Sequence, residues 1–347
     1  MVDKSITLVG ESNEITIIDG NDLGDVVKIT ADGVTIQEFG IRNRGYFAGI
    51  KVCYANNLTI YNCNIYNNNE GIWLEDSSNN TIYNCNIFNN HNGIRLEDSS
   101  NNTIYNCNIY DNCYNGIFAI GSSNDTIYNC NIYDNDQGID LRSSSNVTIY
   151  NCNIHNNHWF RGIKLWYSSN ITIYNCNIFN NDHGGAWLYY SSYSSIYNCN
   201  IYNNYYGIWL EDSSNNIIYM NNVMDNGDNV YSYNSDNTWH SPQPIAYTYN
   251  GTTYTNYLGN YWDDYNGTDE NGDGIGDSAY TIDENDCDYY PLMMEYENYL
   301  PRPDLFISSN DITFSKPYIK EGEVVTINAT VHNIGNVSAN NVVVRFF

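Results

Sequence analysis

The sequence predicts an all-β protein: a single-stranded parallel β-helix with three strands per coil and 22–24 residues per coil, followed by a partial immunoglobulin-like β module. Three observations predict it. The first is a repeat. The phrase Thr-Ile-Tyr-Asn-Cys-Asn-Ile-Tyr, then polar residues, then Gly-Ile-Trp-Leu-Glu-Asp-Ser-Ser-Asn-Asn recurs with copies beginning at Thr59, Thr81, Thr103, Thr126, Thr148, Thr172, Ser195 and Ile217. A fixed period of this length belongs to a solenoid, in which one turn cannot bury its apolar side alone. The second is alternation. Ile82, Cys85 with Ile87, and Ile94 with Leu96 follow the two-residue period of strands, and no helical i, i+3, i+4 pattern appears. The third is punctuation: Asn- and Gly-rich corners cut each copy into three short strands. Stacked in register, such turns rise by about 4.8 Å per coil. A leucine-rich repeat has a similar period, but its leucine framework is absent.

Charge narrows the partners. Lys and Arg total 13 against 40 Asp and Glu, a formal net charge of −27. A nucleic-acid or anionic-membrane partner needs a basic footprint; this balance excludes it and favours cations. No apolar run approaches the ~20 residues of a membrane-spanning helix, so no membrane insertion is expected. Met1-Val2-Asp3-Lys4 leads directly into Ile6-Thr7-Leu8-Val9 without a leader, which reads as a fragment boundary.

Residues 1–57 read as opening coils, with short strands at 6–9, 15–18, 26–29 and 34–36 and turns at Asp19-Gly20 and Asp32-Gly33. No amphipathic capping helix precedes Ser5, so the cap is expected to lie outside this chain or to come from a partner.

Residues 58–222 are the regular repeats. Cys63, Cys85, Cys107, Cys130, Cys152, Cys176 and Cys199 share one repeat position and should form an inward column. Parallel Cβ vectors suit a disulfide poorly, so a buried thiol ladder is expected. A thiolate track for a soft metal is the alternative, disfavoured by a dry core. Cys53, Cys113 and Cys287 lie off the column. Asn62, Asn84, Asn106, Asn129, Asn151, Asn175 and Asn198 precede the cysteines; they should take left-handed corners and hydrogen-bond along a stack of amides. Gly71, Gly93, Gly116, Gly138, Gly162, Gly185 and Gly207 are expected to turn the next corner for the same backbone reason.

Two aromatic stripes point outward by parity, one from Tyr61 to Tyr219 and one from Tyr66 to Tyr202. They either stack on each other and stiffen the sheet, or offer platforms to sugars or a partner protein. The third face varies most. One column reads Trp73, Arg95, Phe118, Asp140, Lys164, Trp187, Trp209, and its neighbour Glu75, Glu97, Ile120, Arg142, Trp166, Tyr189, Glu211. From it come the candidate ligand-binding residues Trp73, Arg95, Trp166, Trp187, Tyr189 and Trp209. Asp140, Arg142, Arg161, Lys164 and Trp166 should cluster, with His158, Asp182 and His183 on the adjoining corner. Asp140, Lys164, Arg142 and Arg161 are thus candidates for acid–base chemistry on a glycan, although no second carboxylate is placed opposite Asp140; the bland reading is a solvated salt-bridge patch. Sequons at Asn57, Asn79, Asn101, Asn124, Asn146, Asn170, Asn250 and Asn266, with Asn328 and Asn336 beyond, are candidate glycosylation sites in a secreted protein.

Residues 223–300 lose the rhythm and read as an irregular cap. Asp269, Asn271, Asp273, Ile275 (through its carbonyl) and Asp277 have the spacing of a Ca2+ loop, with Gly274 at the sixth position and Tyr280 in place of the usual glutamate. No organic cofactor is expected.

The repeats, followed by Gly259-Asn260-Tyr261-Trp262-Asp263-Asp264-Tyr265, Asn271-Gly272-Asp273-Gly274-Ile275-Gly276-Asp277 and Tyr289-Tyr290-Pro291-Leu292, resemble the NosD-like family over about residues 5–295. The resemblance implies a right-handed β-helix of the carbohydrate-binding and sugar-hydrolase class, common in archaeal surface proteins. The family's namesake serves periplasmic copper delivery; this chain carries no His/Met cluster. Pro301-Arg302-Pro303 reads as a stiff linker. Within 301–347 the residues beyond it, 304–347, are similar to the cell-adhesion-related CARDB module, an immunoglobulin-like sandwich, but too short for a whole one; a strand donated by another chain could complete it. The expectation is an extracellular or cell-surface protein that presents aromatic rings to a glycan or a surface protein. Its rivals are a polysaccharide lyase or glycoside hydrolase, and a passive spacer or filament subunit with self-association.

Overall fold

The computed structural model describes residues 1–43, 45–300, 305–308, 311–316 and 325–333. Three parallel sheets of ten, eleven and ten strands run the length of the molecule, each strand pairing with its equivalent one coil away. In one coil the strands are Thr81–Tyr83, Asn86–Phe88 and Asn92–Glu97. Register is residue on residue: Ile82 faces Ile60 and Ile104, and Ile87 faces Ile65 and Ile109. The opening coils hold strands at Thr7–Val9, Ile17–Asp19, Val27–Ile29 and Thr35–Gln37, as the sequence predicts to within two residues.

Left-handed residues make the corners. In one coil Asn57, Asn62, Asn67 and Asp76 have φ of 60°, 51°, 57° and 49°, and the pattern repeats down the solenoid. Asn and Asp tolerate this region because their short side chains can bond locally. After each bend the next side chain, Leu58, Cys63, Asn68 or Ser77, is buried. The seven cysteines form the inward column expected, as free thiols. Each thiol donates to a carbonyl two residues back, such as Cys85 Sγ to Tyr83 O at 3.3 Å. Burial pushes the Cys107, Cys152 and Cys199 thiols up, away from thiolate.

Two expectations are corrected. The stacked amides are not Asn62 and its equivalents, which do take the left-handed corner but stand at the surface or half-buried. The ladder is the buried column Asn68, Asn90, Asn112, Asn135, Asn157, Asn181, Asn204; from Asn90 onward each accepts at Oδ1 from the backbone and side-chain N–H groups of the Asn one coil back, and Asn68 Oδ1, at the head of the column, has no partner. Inside the tube these side chains find only one another and backbone carbonyls, such as Ile65 O for Asn90 Nδ2, and an unsatisfied amide would be costly. Nor do Gly71 and its equivalents have positive φ. They lie in strands, where a Cβ on Gly93 would meet the Gly116 carbonyl oxygen at 2.5 Å and Ile109 Cγ2 at 2.8 Å. The reason for glycine is close approach between coils.

A third polar column, Asn80 and Asn102, ends at Asp125, because Val147 and Ile171 follow. Asp125 Oδ1 accepts from the Asn102 backbone and amide at 2.8 and 3.1 Å, while Oδ2 has no partner. Burial pushes this carboxyl up to about 7.

The solenoid does not stop where the repeat fades. Asn222–Met224 and Asp228–Tyr233 extend two sheets, and Tyr261–Trp262 adds a parallel strand to the second. Asn221 and Asn260 carry on stacked amides here, Asn221 Nδ2 donating to Asn260 Oδ1 at 2.9 Å. Buried Trp239, Trp262, Tyr247 and Tyr299 then close the end. Asp288, buried, accepts from Asn260 N, Trp262 Nε1 and Tyr290 N at 2.7, 3.0 and 3.0 Å, and burial pushes it up to about 6. The Gly259–Asp264 motif is therefore capping machinery.

Among the described residues beyond 300, Leu305–Phe306 pairs with His332–Asn333 and Ile312–Phe314 with Ile327–Ala329, both antiparallel. The linker 301–303, the strand expected at 342–347 and the sequon at Asn336 lie outside the described residues. No described helix is long and apolar enough to cross a membrane.

Candidate functional site

The three outer faces differ in what their aromatic rings face. On the first sheet, Tyr61, Tyr83, Tyr105 and Tyr128 stack with centroids 4.8–4.9 Å apart and planes within 4°. On the second, Tyr66, Phe88, Tyr110, Tyr133, His155 and Phe179 do the same at 4.7–5.2 Å. Ring faces in the interior of such a stack are spent on one another, so these stripes stiffen the sheets.

The third face alternates rings with cations. Lys51 Nζ lies 3.5 Å from the Trp73 ring centroid, and Arg95 lies between Trp73 and Phe118 at 4.8 and 5.6 Å. Arg142 lies between Phe118 and Trp166 at 5.0 and 5.1 Å, and Arg161 lies 3.7 Å from the Trp187 ring centroid and 5.7 Å from that of Trp209. Lys164 lies 4.4 Å from Trp166. The cause is strand parity: outward letters of successive coils stand one strand spacing apart, within the reach of cation–π attraction. All six candidate ligand-binding residues, Trp73, Arg95, Trp166, Trp187, Tyr189 and Trp209, stand on this face.

Carboxylates answer most of the cations. Lys51 pairs with Glu75 at 3.2 Å and Arg95 with Glu97 at 2.9 Å. In the middle coils, the predicted cluster forms. Asp140, only 2% exposed, takes Arg142 at 2.6 Å and Lys164 at 3.6 Å on one oxygen, and its Oδ1 has no partner. No described carboxylate lies within ion-pair distance of Arg161. Burial draws its guanidinium down to about 10 and lowers the Lys164 ammonium as well. Arg161 Nε and the indole N–H groups of Trp73, Trp187 and Trp209 are also without acceptors. An orphaned buried donor costs about 1–3 kcal/mol, so several on one face are a cost with no structural return.

His158 stays at the corner, 3.7 Å from Asp134. That corner also carries Trp159 and Phe160, 67% and 40% exposed, which sequence reading did not single out. Their signal was the longest step of the repeat, from Thr148 to Thr172. Tyr167, across the same strand, is 56% exposed.

The acidic loop folds on itself. Asp269 accepts from Gly272, Asp273 and Gly274 N–H groups at 2.8–3.1 Å, Asp273 from Ile275 N, and Asp277 from Glu270 N. Tyr247 and Tyr254 hydroxyls donate to the Asp273 and Gly272 carbonyls. Among the described residues no three His, Cys, Asp or Glu side chains are gathered as metal ligands. Sequon residues Asn57, Asn79, Asn101, Asn124, Asn146, Asn170, Asn250 and Asn266 are all exposed, as is Asn328.

With this geometry in view, comparison with known proteins is informative about the family. A family model described as right handed beta helix region matches residues 92–243, and one described as periplasmic copper-binding protein (NosD) matches residues 3–160. Each model covers less than half of the chain, and together with the three parallel sheets the two matches support a right-handed β-helix family. No curated protein matches the chain. The A-module of mannuronan C-5 epimerase AlgE6 from Azotobacter vinelandii is similar in structure at 17% identity and a TM-score of 0.50, over 68% of this chain and 84% of that one. The Dettilon tailspike protein (gp208) is similar at 13% identity and a TM-score of 0.53, over 76% of this chain and 57% of its own. Both likenesses concern the fold.

Proposed function

We propose that this β-helix is an extracellular or cell-surface binding protein that takes a glycan along the outer face of its third sheet. One contrast supports the reading: the tyrosine stripes spend their ring faces on one another, whereas the third face carries indoles and half-buried cations together. Sugars need both an apolar platform and hydrogen-bonding groups. A glycan array probed with wild type and Trp166→Ala tests it. Binding that the substitution weakens is expected, and undiminished binding by Trp166→Ala would move the site elsewhere.

A lyase or hydrolase is the second reading, favoured by the half-buried Lys164, whose ammonium burial lowers, standing beside the Asp140 carboxylate and the Arg142 guanidinium. Release of oligosaccharides from a bound polymer would establish it, and intact polymer after long incubation would remove it. A protein partner or self-association is the reading left if no glycan binds and ordered oligomers form. Calcium belongs to the same proposal as a stiffener: Asp269, Asn271, Asp273 and Asp277, with the Ile275 carbonyl, supply the oxygens that a hard cation takes.

A further inference from the structure

The charge of the third face departs from that of the chain. Against a net charge of −27, Arg142, Lys164 and Arg161 gather around one ion-paired carboxylate, Asp140. The local surplus is positive. Arg161 is the unanswered member, lying over the Trp187 ring with Trp209 farther off, and its Nε and the two indole N–H groups have no partners. The Nε and indole atoms are buried, so what the patch offers at its surface is the half-buried guanidinium of Arg161, with no carboxylate in ion-pair distance, and the half-buried ammonium of Lys164. Asp140 is buried beneath them and is consumed by its ion pairs with Arg142 and Lys164. Exposed Trp159 before Arg161 and Tyr167 after Trp166 flank the same coil.

We propose that the glycan is acidic: one of its anionic groups, a carboxylate or a sulfate ester, binds against Arg161 and Lys164. A guanidinium presents a planar fork to such oxygens. A coil rises by about one strand spacing, ~4.8 Å, which is close to the advance of one sugar in an extended chain. A linear polymer laid along the axis therefore meets a new pair of outward letters at each residue. The inference rests on the glycan reading above.

The test is titration calorimetry of the full chain with polygalacturonate, dextran sulfate, carboxyl-reduced polygalacturonate and dextran. At least one acidic polymer should bind, and its neutral counterpart about tenfold or more weaker, as expected for lost charge-assisted hydrogen bonds. Which acidic polymer binds identifies the anionic group. Arg161→Gln and Lys164→Gln should each weaken acidic-polymer binding and flatten its salt dependence, with Arg161→Lys intermediate. Arg42→Gln, which breaks an ion pair with Asp19 on the second sheet, should leave binding unchanged. Thermal melts of each variant separate lost binding from lost folding. Equal binding of acidic and neutral polymers overturns the inference and leaves the glycan reading standing. No binding to any of the four, or to any glycan on the array, overturns both.

Discussion

The first and third sheets are built from the same parity rule and end as opposites. On the first, one letter, tyrosine, is repeated at each coil from Tyr61 to Tyr219, and rings lie flat on rings. On the third, no letter is kept for more than a few coils, and Lys51, Trp73, Arg95, Phe118 and Asp140 succeed one another. A uniform column satisfies itself. A varied one leaves unmatched groups, and those unmatched groups are what a ligand can use.

The contrast can be broken from the inside first. Asn112→Ala removes an amide that serves the Asn90 backbone and side chain and itself donates to Ile87 O and Asn135 Oδ1. A loss of about 3 kcal/mol in denaturant stability is expected, since buried partners are left unpaired. Glycan affinity should be unaffected. Next, Tyr105→Ala opens the tyrosine stack and should cost about 1–2 kcal/mol of stability without touching binding. Trp187→Ala should do the reverse, weakening binding about tenfold with a smaller effect on the melt. If both substitutions act alike in the two assays, the division between stiffening and binding faces is wrong.

A pH titration sharpens the comparison further. Asp125 titrates near 7 in the folded chain, above its ordinary value of 3.8, because burial disfavours its charge. The folded state thus holds a proton that the unfolded chain gives up, so stability is full below pH 4, falls as pH rises toward 7, and is level above it. Asp288, up to about 6, adds the same sign. Melts from pH 4 to 8 should show the decline, and Asp125→Asn should shrink it by on the order of 1–3 kcal/mol. An unchanged slope in that variant would assign the effect elsewhere. The smallest expected effect is that of calcium: adding it should raise the melting temperature by a few degrees at most, following mass action, and Asp269→Asn should abolish the rise. No heat on calorimetric titration would remove calcium from the reading.

Much of this fold was legible in the sequence. A 22-residue step and alternating Ile and Cys fix which side chains enter the tube, and Cys63 through Cys199 lie where parity puts them. Corners were harder, because parity is lost at a left-handed residue. Asn62 and Asn68 are the same letter, and only backbone angle sends one outward and the other in. Glycine was misread for a related reason: its sequence position marks a bend equally well as a close approach. The charged cluster around Asp140 was visible because register is one to one. Its unanswered member, Arg161, was not distinguishable from Arg95 or Arg142 until ion-pair distances were known.

The residue-on-residue register has a further consequence for how such a molecule can change length. Every interior letter of one turn is matched to the turn above and below, so a whole turn could be excised or duplicated while its former neighbours meet across compatible seams. Removing 103–125, for instance, would bring Asn102 beside Thr126 with every ladder still in step, whereas deleting half as many residues would throw all of them out of phase. Evolution by whole turns would leave the tube intact while adding or removing outward letters.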